Sequence, residues 1–308
     1  MAKAIEGIAT SAGAKMLVAT DLSAPADEAI RQAHEWATAL GAELVVCHVV
    51  PARYLANPLF PQRNENDSLE AVEFERRAAE LVTARVSELT GRSPEDFRLS
   101  MDIGRPEAGI LRAATSLHVE LIVIGSRGET GLDRVLLGSV SERVVQHAHC
   151  SVLVARPMSE RGRVLVATDL SDPSLPAVGI GALEAKRRGA RLVVMHNLDL
   201  WPPPLGSEAM GLAAREIVPS PALIEEERLR ALRDLKELLA HHGVEGEATV
   251  TTGLPDAAIV RLADEIRPEV LVIGTHGRTG LSRLALGSVA ERVVQMAGCS
   301  VLVVRLES

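Results

Sequence analysis

Aromatic side chains are nearly missing: 308 residues hold three Phe, two Trp and one Tyr, or 2%. That removes the base-stacking platforms on which single-strand nucleic-acid binders rely and leaves the core to Val, Leu, Ile and Ala. Positive charge is in deficit as well, since 33 Lys and Arg stand against 41 Asp and Glu, a net charge of −8. No global positive field exists to hold a polyphosphate backbone or an anionic bilayer, so neither nucleic acid nor a membrane is an expected partner. Nowhere do about 18 uncharged apolar residues run together, and the stretch before Lys15 carries Lys3 and Glu6 with no apolar core of a signal peptide. A cytoplasmic protein with a loose N-terminal tail is the expectation. Cysteine is scarce too: Cys47, Cys150 and Cys299 are odd in number, far apart, and free of C-x-x-C or Cys/His spacing. They read as buried thiols in a reducing compartment, with no disulfide and no metal site.

What is present is a repeat. Residues 125–156 and 274–305 align without gaps at 22 identities in 32 positions. Upstream, MLVATDLSAP from Met16 faces VLVATDLSDP from Val164, ELVVCHVV faces RLVVMHNL, and GRPEAGI from Gly104 faces GLPDAAI from Gly253. The landmarks keep their order, so the chain is two copies of one domain, 1–157 and 158–308, joined through the short polar stretch Pro157 to Gly162. Each copy alternates short apolar runs with longer amphipathic segments. In the first, the pattern predicts strands near 15–20, 43–49, 97–102, 120–124 and 151–156, with helices near 24–40, 67–90, 106–117 and 139–148. Runs such as LIVIG and VLVIG are apolar at every position, as strands covered on both faces must be, and the intervening helices call for parallel pairing. The fold class is α/β: two tandem doubly wound, Rossmann-like parallel sheets flanked by helices. Two insertions, 51–66 and 197–221, follow the second strand of each copy on the ligand-bearing side and read as solvated loops, with a lid or partner surface as the alternative.

One motif recurs with identical spacing: Gly125-Ser-Arg-Gly128, nine residues, then Gly138-Ser139, and Gly274-Thr-His-Gly277, nine residues, then Gly287-Ser288. Each first glycine ends a strand and each Gly-Ser opens a helix. Strand-end backbone donors and the positive end of a helix dipole then surround one cavity, which suits phosphate. A plainer reading exists for part of it: Ser139-Val-Ser-Glu142 and Ser288-Val-Ala-Glu291 both fit a capping box. Neither G-x-G-x-x-G after the first strand nor G-x-x-x-x-G-K-[ST] is present. The first strand ends instead in Thr20-Asp21-Leu22-Ser23, and in the second copy Thr168-Asp169-Leu170-Ser171, with Ser23 and Ser171 read as helix caps. With strand order 3-2-1-4-5, the first and fourth strands diverge at a switch point and bring Asp21 beside the Gly125 loop. A carboxylate there can accept from an exocyclic amine such as that of adenine.

These residues resemble the universal stress protein family, in tandem and of the ATP-binding type, over nearly the whole chain. The resemblance implies a five-stranded parallel sheet in each repeat and ATP, with Mg²⁺ on its phosphates, as the bound cofactor. It implies that Asp21 and Asp169 contact adenine together with Ala19, Thr20, Ala167, Thr168, Ile124 and Ile273, and that Val49 lies against the adenosine. Gly125, Arg127, Gly128, Gly138, Ser139, Val140 and Ser141 would surround the phosphates in the first copy, and Gly274, His276, Gly277, Gly287, Ser288 and Val289 in the second. It also implies that the last strands, 151–155 and 300–304, pair antiparallel and make the two repeats an internal pseudo-dimer; whether two chains form a homodimer is left open.

Two departures predict a weaker second site: Asn197 replaces Val49, and Ala290 replaces Ser141, whose hydroxyl could meet a phosphate. His48 and His196 read as satisfied strand-end histidines. No catalytic Ser/His/Asp or Cys/His set stands out, so the chain reads as a nucleotide-binding stress or regulatory module and not an enzyme. The alternatives are a slow ATP hydrolase or phosphotransfer enzyme, and an interaction module that binds no nucleotide.

Overall fold

The computed structural model describes residues 13–51, 65–126, 137–157, 162–198, 220–275 and 286–305, the stretch 65–71 by its backbone alone. The first repeat runs β1 (Lys15–Ala19), α1 (Ala24–Leu40), β2 (Glu43–Pro51), α2 (Glu65–Thr90), β3 (Arg98–Gly104), α3 (Pro106–Leu117), β4 (Leu121–Gly125), α4 (Ser139–His147) and β5 (Ser151–Ala155). The second runs β6 (Arg163–Ala167), α5 (Leu175–Arg188), β7 (Arg191–Leu198), α6 (Pro221–His242), β8 (Gly246–Thr252), α7 (Pro255–Ile266), β9 (Val270–Gly274), α8 (Ser288–Met296) and β10 (Ser300–Val304). The periodicity placed the elements of the first repeat to within two residues. None of the described helices is long and apolar enough to cross a membrane.

The chain divides into two compact units; of the described residues the first takes those up to 157 together with Leu286 and 300–305, the second 162–275 and Gly287–Cys299. In the first unit the strands lie in the order β3-β2-β1-β4-β5, with β1–β2, β1–β4, β2–β3 and β4–β5 all parallel. Every residue of β4 and β5 is buried, which explains their unbroken apolar sequences: helices cover both faces. The sixth strand of this unit is β10, antiparallel to β5 in the register Val301↔Val154, Leu302↔Leu153, Val303↔Val152, so the expected pairing of the last strands is found. Without β10, β5 would be an exposed apolar edge.

Polar groups fix that register. The buried Ser300 hydroxyl accepts from Arg156 N–H at 3.0 Å and lies 3.1 Å from both Gln32 Oε1 and the Arg156 carbonyl, while Gln32 Nε2 donates to the same carbonyl at 2.8 Å. At the other end Arg305 N–H donates to Ser151 Oγ, and the Arg305 guanidinium donates to the carbonyls of Val145 and Gln146, both 2.9 Å, closing the C-terminus of α4.

In the second unit the parallel order is β8-β7-β6-β9, equivalent to the first four strands of the first repeat. Its helix α5 packs tightly on β6, because a Cβ at Gly181 would stand 2.1 Å from Val166 Cγ2. An ion-pair cluster anchors the base of this sheet: Glu184 pairs with Arg187 and Arg188, Arg188 with Glu269, and Glu269 accepts from Gly162 N–H at 2.6 Å.

Cys47, Cys150 and Cys299 form no disulfide among the described residues. The first two are buried and Cys299 is half-buried, a partial departure from the expectation of three buried thiols. Burial, reinforced by the charge of Asp102, pushes the Cys47 thiol up to about 12.

Candidate functional site

The site begins where β1 ends. Thr20 N–H donates to the Cys47 carbonyl at 2.9 Å, the last bond that continues the β1–β2 pairing. The chain then turns sharply: Leu22 has φ +65°, a left-handed conformation uncommon outside glycine and costly for a leucine. Short side chains hold the turn, with Leu22 N–H donating to Thr20 Oγ1 at 3.0 Å, and Ser23 N–H and Oγ–H donating to Asp21 Oδ1 at 3.1 and 2.5 Å. His48 Nδ1 lies 2.8 Å from the Thr20 carbonyl. The second repeat has the same turn. Leu170 has φ +62°, its N–H donates to Thr168 Oγ1 at 3.0 Å, and Ser171 N–H and Oγ–H donate to Asp169 Oδ1 at 3.0 and 2.5 Å. His196 Nδ1 stands 2.9 Å from the Thr168 carbonyl.

Ser23 therefore occupies the N-cap position of α1 without capping it, because its hydroxyl is given to Asp21. Ser171 departs further from expectation: the residue before α5 is Ser174, whose hydroxyl bonds to the Ser171 carbonyl and to Thr168 Oγ1. In both repeats the serine after Thr-Asp-Leu orients the aspartate instead.

The end of β4 closes against this turn. A Cβ at Gly125 would lie 2.6 Å from the Pro25 carbonyl oxygen and 3.1 Å from Ala26 N, so only glycine lets the strand end reach the start of α1. Gly138 N–H donates to the Ser126 carbonyl at 2.8 Å, and Gly287 N–H to the Thr275 carbonyl at 2.9 Å, which brings the start of α4 or α8 back to the strand end. Gly138 and Gly287, not Ser139 and Ser288, are the N-cap residues, so the cap position itself supplies no side chain. The capping-box reading is thus corrected: the serines are the first helical residues and exposed, and each N-cap position is held by a glycine, which has no side chain to offer the first turn. Such an end suits an external anion.

Around this frame Ala19, Thr20, Val49 and Ile124 are buried, as are Ala167, Thr168 and Ile273. Asp21 is exposed and Asp169 half-buried. Val140 and Val289 are half-buried beside their exposed serines. Arg127, Gly128, His276 and Gly277 lie outside the described residues.

Both departures between the repeats acquire partners. Ser141 is buried and its hydroxyl donates to the Gly125 carbonyl at 2.7 Å, so its proton is committed to the strand end and not to a phosphate. Asn197 Nδ2 donates to the Gly253 carbonyl at 2.7 Å and its Oδ1 accepts from Thr251 Oγ1 at 3.0 Å, tying β7 to the end of β8. Val49 instead packs close to Gly109, where a Cβ would meet it at 2.7 Å.

Sequence reasoning missed three features. The left-handed leucines carry no residue-type signal, the close approach at Gly125 is a tertiary contact, and the ties of α3 to α4 (Glu107–Arg143, 2.7 Å) and α7 to α8 (Asp256–Arg292, 3.1 Å) join residues 36 apart. The last was the most legible, as an acid–arginine pair at the same spacing in both copies.

Comparison with known proteins agrees with this architecture. The sequence model described as the universal stress protein family matches residues 14–156 and again 160–305. A universal stress protein of Mycolicibacterium smegmatis is 28% identical over 306 residues, spanning 94% of this chain and 96% of its own length. One from Methanocaldococcus jannaschii is 36% identical over 146 residues, 46% of this chain and 81% of its own. Among solved structures, a universal stress protein from Archaeoglobus fulgidus superposes with a TM-score of 0.63 at 22% identity, covering 95% of this chain and 96% of its own, a likeness of fold. With the family model matched twice across nearly its whole length, the chain belongs to the universal stress protein family, one domain to each repeat.

Proposed function

We propose that this protein binds ATP, one molecule per repeat, and acts in stress response as a nucleotide-occupied regulatory module. The observation that carries the reading is the twofold convergence, at the switch point between β1 and β4 and again between β6 and β9, of an aspartate turn with a helix start whose N-cap is a glycine hydrogen-bonded back to the strand end. Asp21 or Asp169 accepts from the adenine amine, and Ala19, Val49 and Ile124, or Ala167 and Ile273, supply apolar walls. The first N–H groups of α4 or α8, with the glycine loop through Gly128 or Gly277, take the phosphates. Mg²⁺ would travel with the phosphates as their counter-ion. The domains are 1–157 and 158–308, and the β5–β10 pairing supports an internal pseudo-dimer.

With Ser141 committed to Gly125, the weaker second site now rests on Asn197: losing the apolar wall of Val49 costs about 1–2 kcal/mol, about tenfold in affinity. The test replaces Gly128 and Gly277 by valine. Both variants are expected to keep the thermal transition of the parent and to lose Mg-ATP binding at their own site in isothermal titration. Parent protein that takes up no adenine nucleotide would favour the interaction-module reading instead.

A further inference from the structure

Beside the aspartate turn of each repeat stands a histidine of the neighbouring strand, its Nδ1 within hydrogen-bond distance of the threonine carbonyl. We propose that His48 and His196 are positioning residues for adenine recognition, each fixing the peptide between Thr20 and Asp21, or Thr168 and Asp169, so that the carboxylate meets the exocyclic amine. The proposal rests on the nucleotide reading above and deepens it.

The strand register gives the reason. β1 pairs with β2 as far as Ala19↔Cys47, and Thr20 N–H still reaches the Cys47 carbonyl. Beyond that point the backbone leaves the sheet for a left-handed residue, and the His48 ring holds the Thr20 carbonyl that the turn exposes. A carbonyl can only accept, so Nδ1 must carry the proton, and this holds for the neutral ring and the imidazolium alike. The Thr20–Asp21 peptide is thereby gripped just before Asp21. Downstream, Ser23 holds Oδ1 by two bonds, so backbone and carboxylate are both fixed before any ligand arrives. The second unit repeats the arrangement bond for bond at His196, although its strand neighbours are Met195 and Asn197 in place of Cys47 and Val49. An apolar residue would fill the His196 position, 5% exposed, without the desolvation of an imidazole. What the imidazole adds is the donor.

The experiment compares ATP with inosine triphosphate, which carries a carbonyl in place of the amine, on full-length protein. Asp169→Ala silences the second site, and His48 is then changed to Leu, which removes the donor, or to Asn, whose Nδ2 supplies one near the place of Nδ1. The parent is expected to prefer ATP by about tenfold. His48→Leu should abolish that preference with the inosine nucleotide held within about twofold, and His48→Asn should restore it. If His48→Leu does not fold, His48→Gln, whose donor is displaced by one methylene, takes its place with the same expected loss. An ATP preference that survives in the leucine or glutamine variant overturns the proposal, as does an equal fall in affinity for both nucleotides, the mark of a purely structural role. A parent that binds neither nucleotide overturns the nucleotide reading itself and this inference with it.

Discussion

Ser141→Ala separates two roles that the sequence alone leaves entangled. Its spacing after the glycine motif suits a hydroxyl that meets phosphate, whereas the structure buries the side chain at 3% exposure and directs its proton to the Gly125 carbonyl at 2.7 Å. Removing it deletes a buried hydrogen bond and leaves that oxygen short of a donor, a loss of about 1–3 kcal/mol. In a unit of this size the melting temperature falls by about 2–4 °C for each kcal/mol. The void left by one oxygen is smaller than a methyl group and adds little. Differential scanning calorimetry should show the first unit melting earlier, while titration with Mg-ATP should show less than about a threefold change in Kd at the first site. A tenfold to hundredfold loss of affinity with an unchanged transition would refute the assignment and return the hydroxyl to the phosphate.

Gly125→Ala should be worse, because its Cβ meets backbone atoms of Pro25 that cannot swing aside; a loss of about 1–3 kcal/mol or more is expected in thermal unfolding. Ser300→Ala orphans the Arg156 N–H and a partner of Gln32, so the amides of β10 should exchange faster with deuterium while those of β7 and β8 are unaffected. Burial and the neighbouring Arg92 lower the His34 pKa, and burial, His241 and Lys186 lower that of His242. Both rings resist protonation in the folded state, so their contribution is intact above about pH 6.5, the unfolded value, and is lost as pH falls from there through the folded pKa values. The melting temperature should decline over that range, and His34→Gln should flatten the decline; an identical slope in the variant would count against the assignment. Cys47, with its thiol pushed up to about 12, should resist alkylation at pH 8 until the protein is unfolded.

The repeat and the alternation of apolar runs with amphipathic stretches made the fold legible, because a parallel sheet covered on both faces leaves a sequence signature in strands such as LIVIG. The frame of the candidate site was legible in outline. Asp21 and Gly138 were found by position after a strand and before a helix, and β1 and β4 do adjoin. What escaped was local and tertiary detail. Ser139 looks like a cap in sequence, yet the helix begins one residue earlier because Gly138 takes up the extended cap conformation at φ −68° and ψ 146°. Ser171 looks like a cap too, but its hydroxyl goes to Asp169, and the N-cap position falls to Ser174, just before α5 at Leu175. Nothing in a leucine announces φ +65°, and that strain is visible only once the bonds of Thr20, Asp21 and His48 are drawn around it.

Denaturing the freshly purified protein and identifying any released small molecule by ion-exchange chromatography and mass spectrometry, with Mg-ATP titration of the stripped chain alongside, tests the central claim most directly. Adenine nucleotide at one to two equivalents per chain, or saturable uptake to that stoichiometry, is the predicted result. No nucleotide released and no uptake on titration would contradict it.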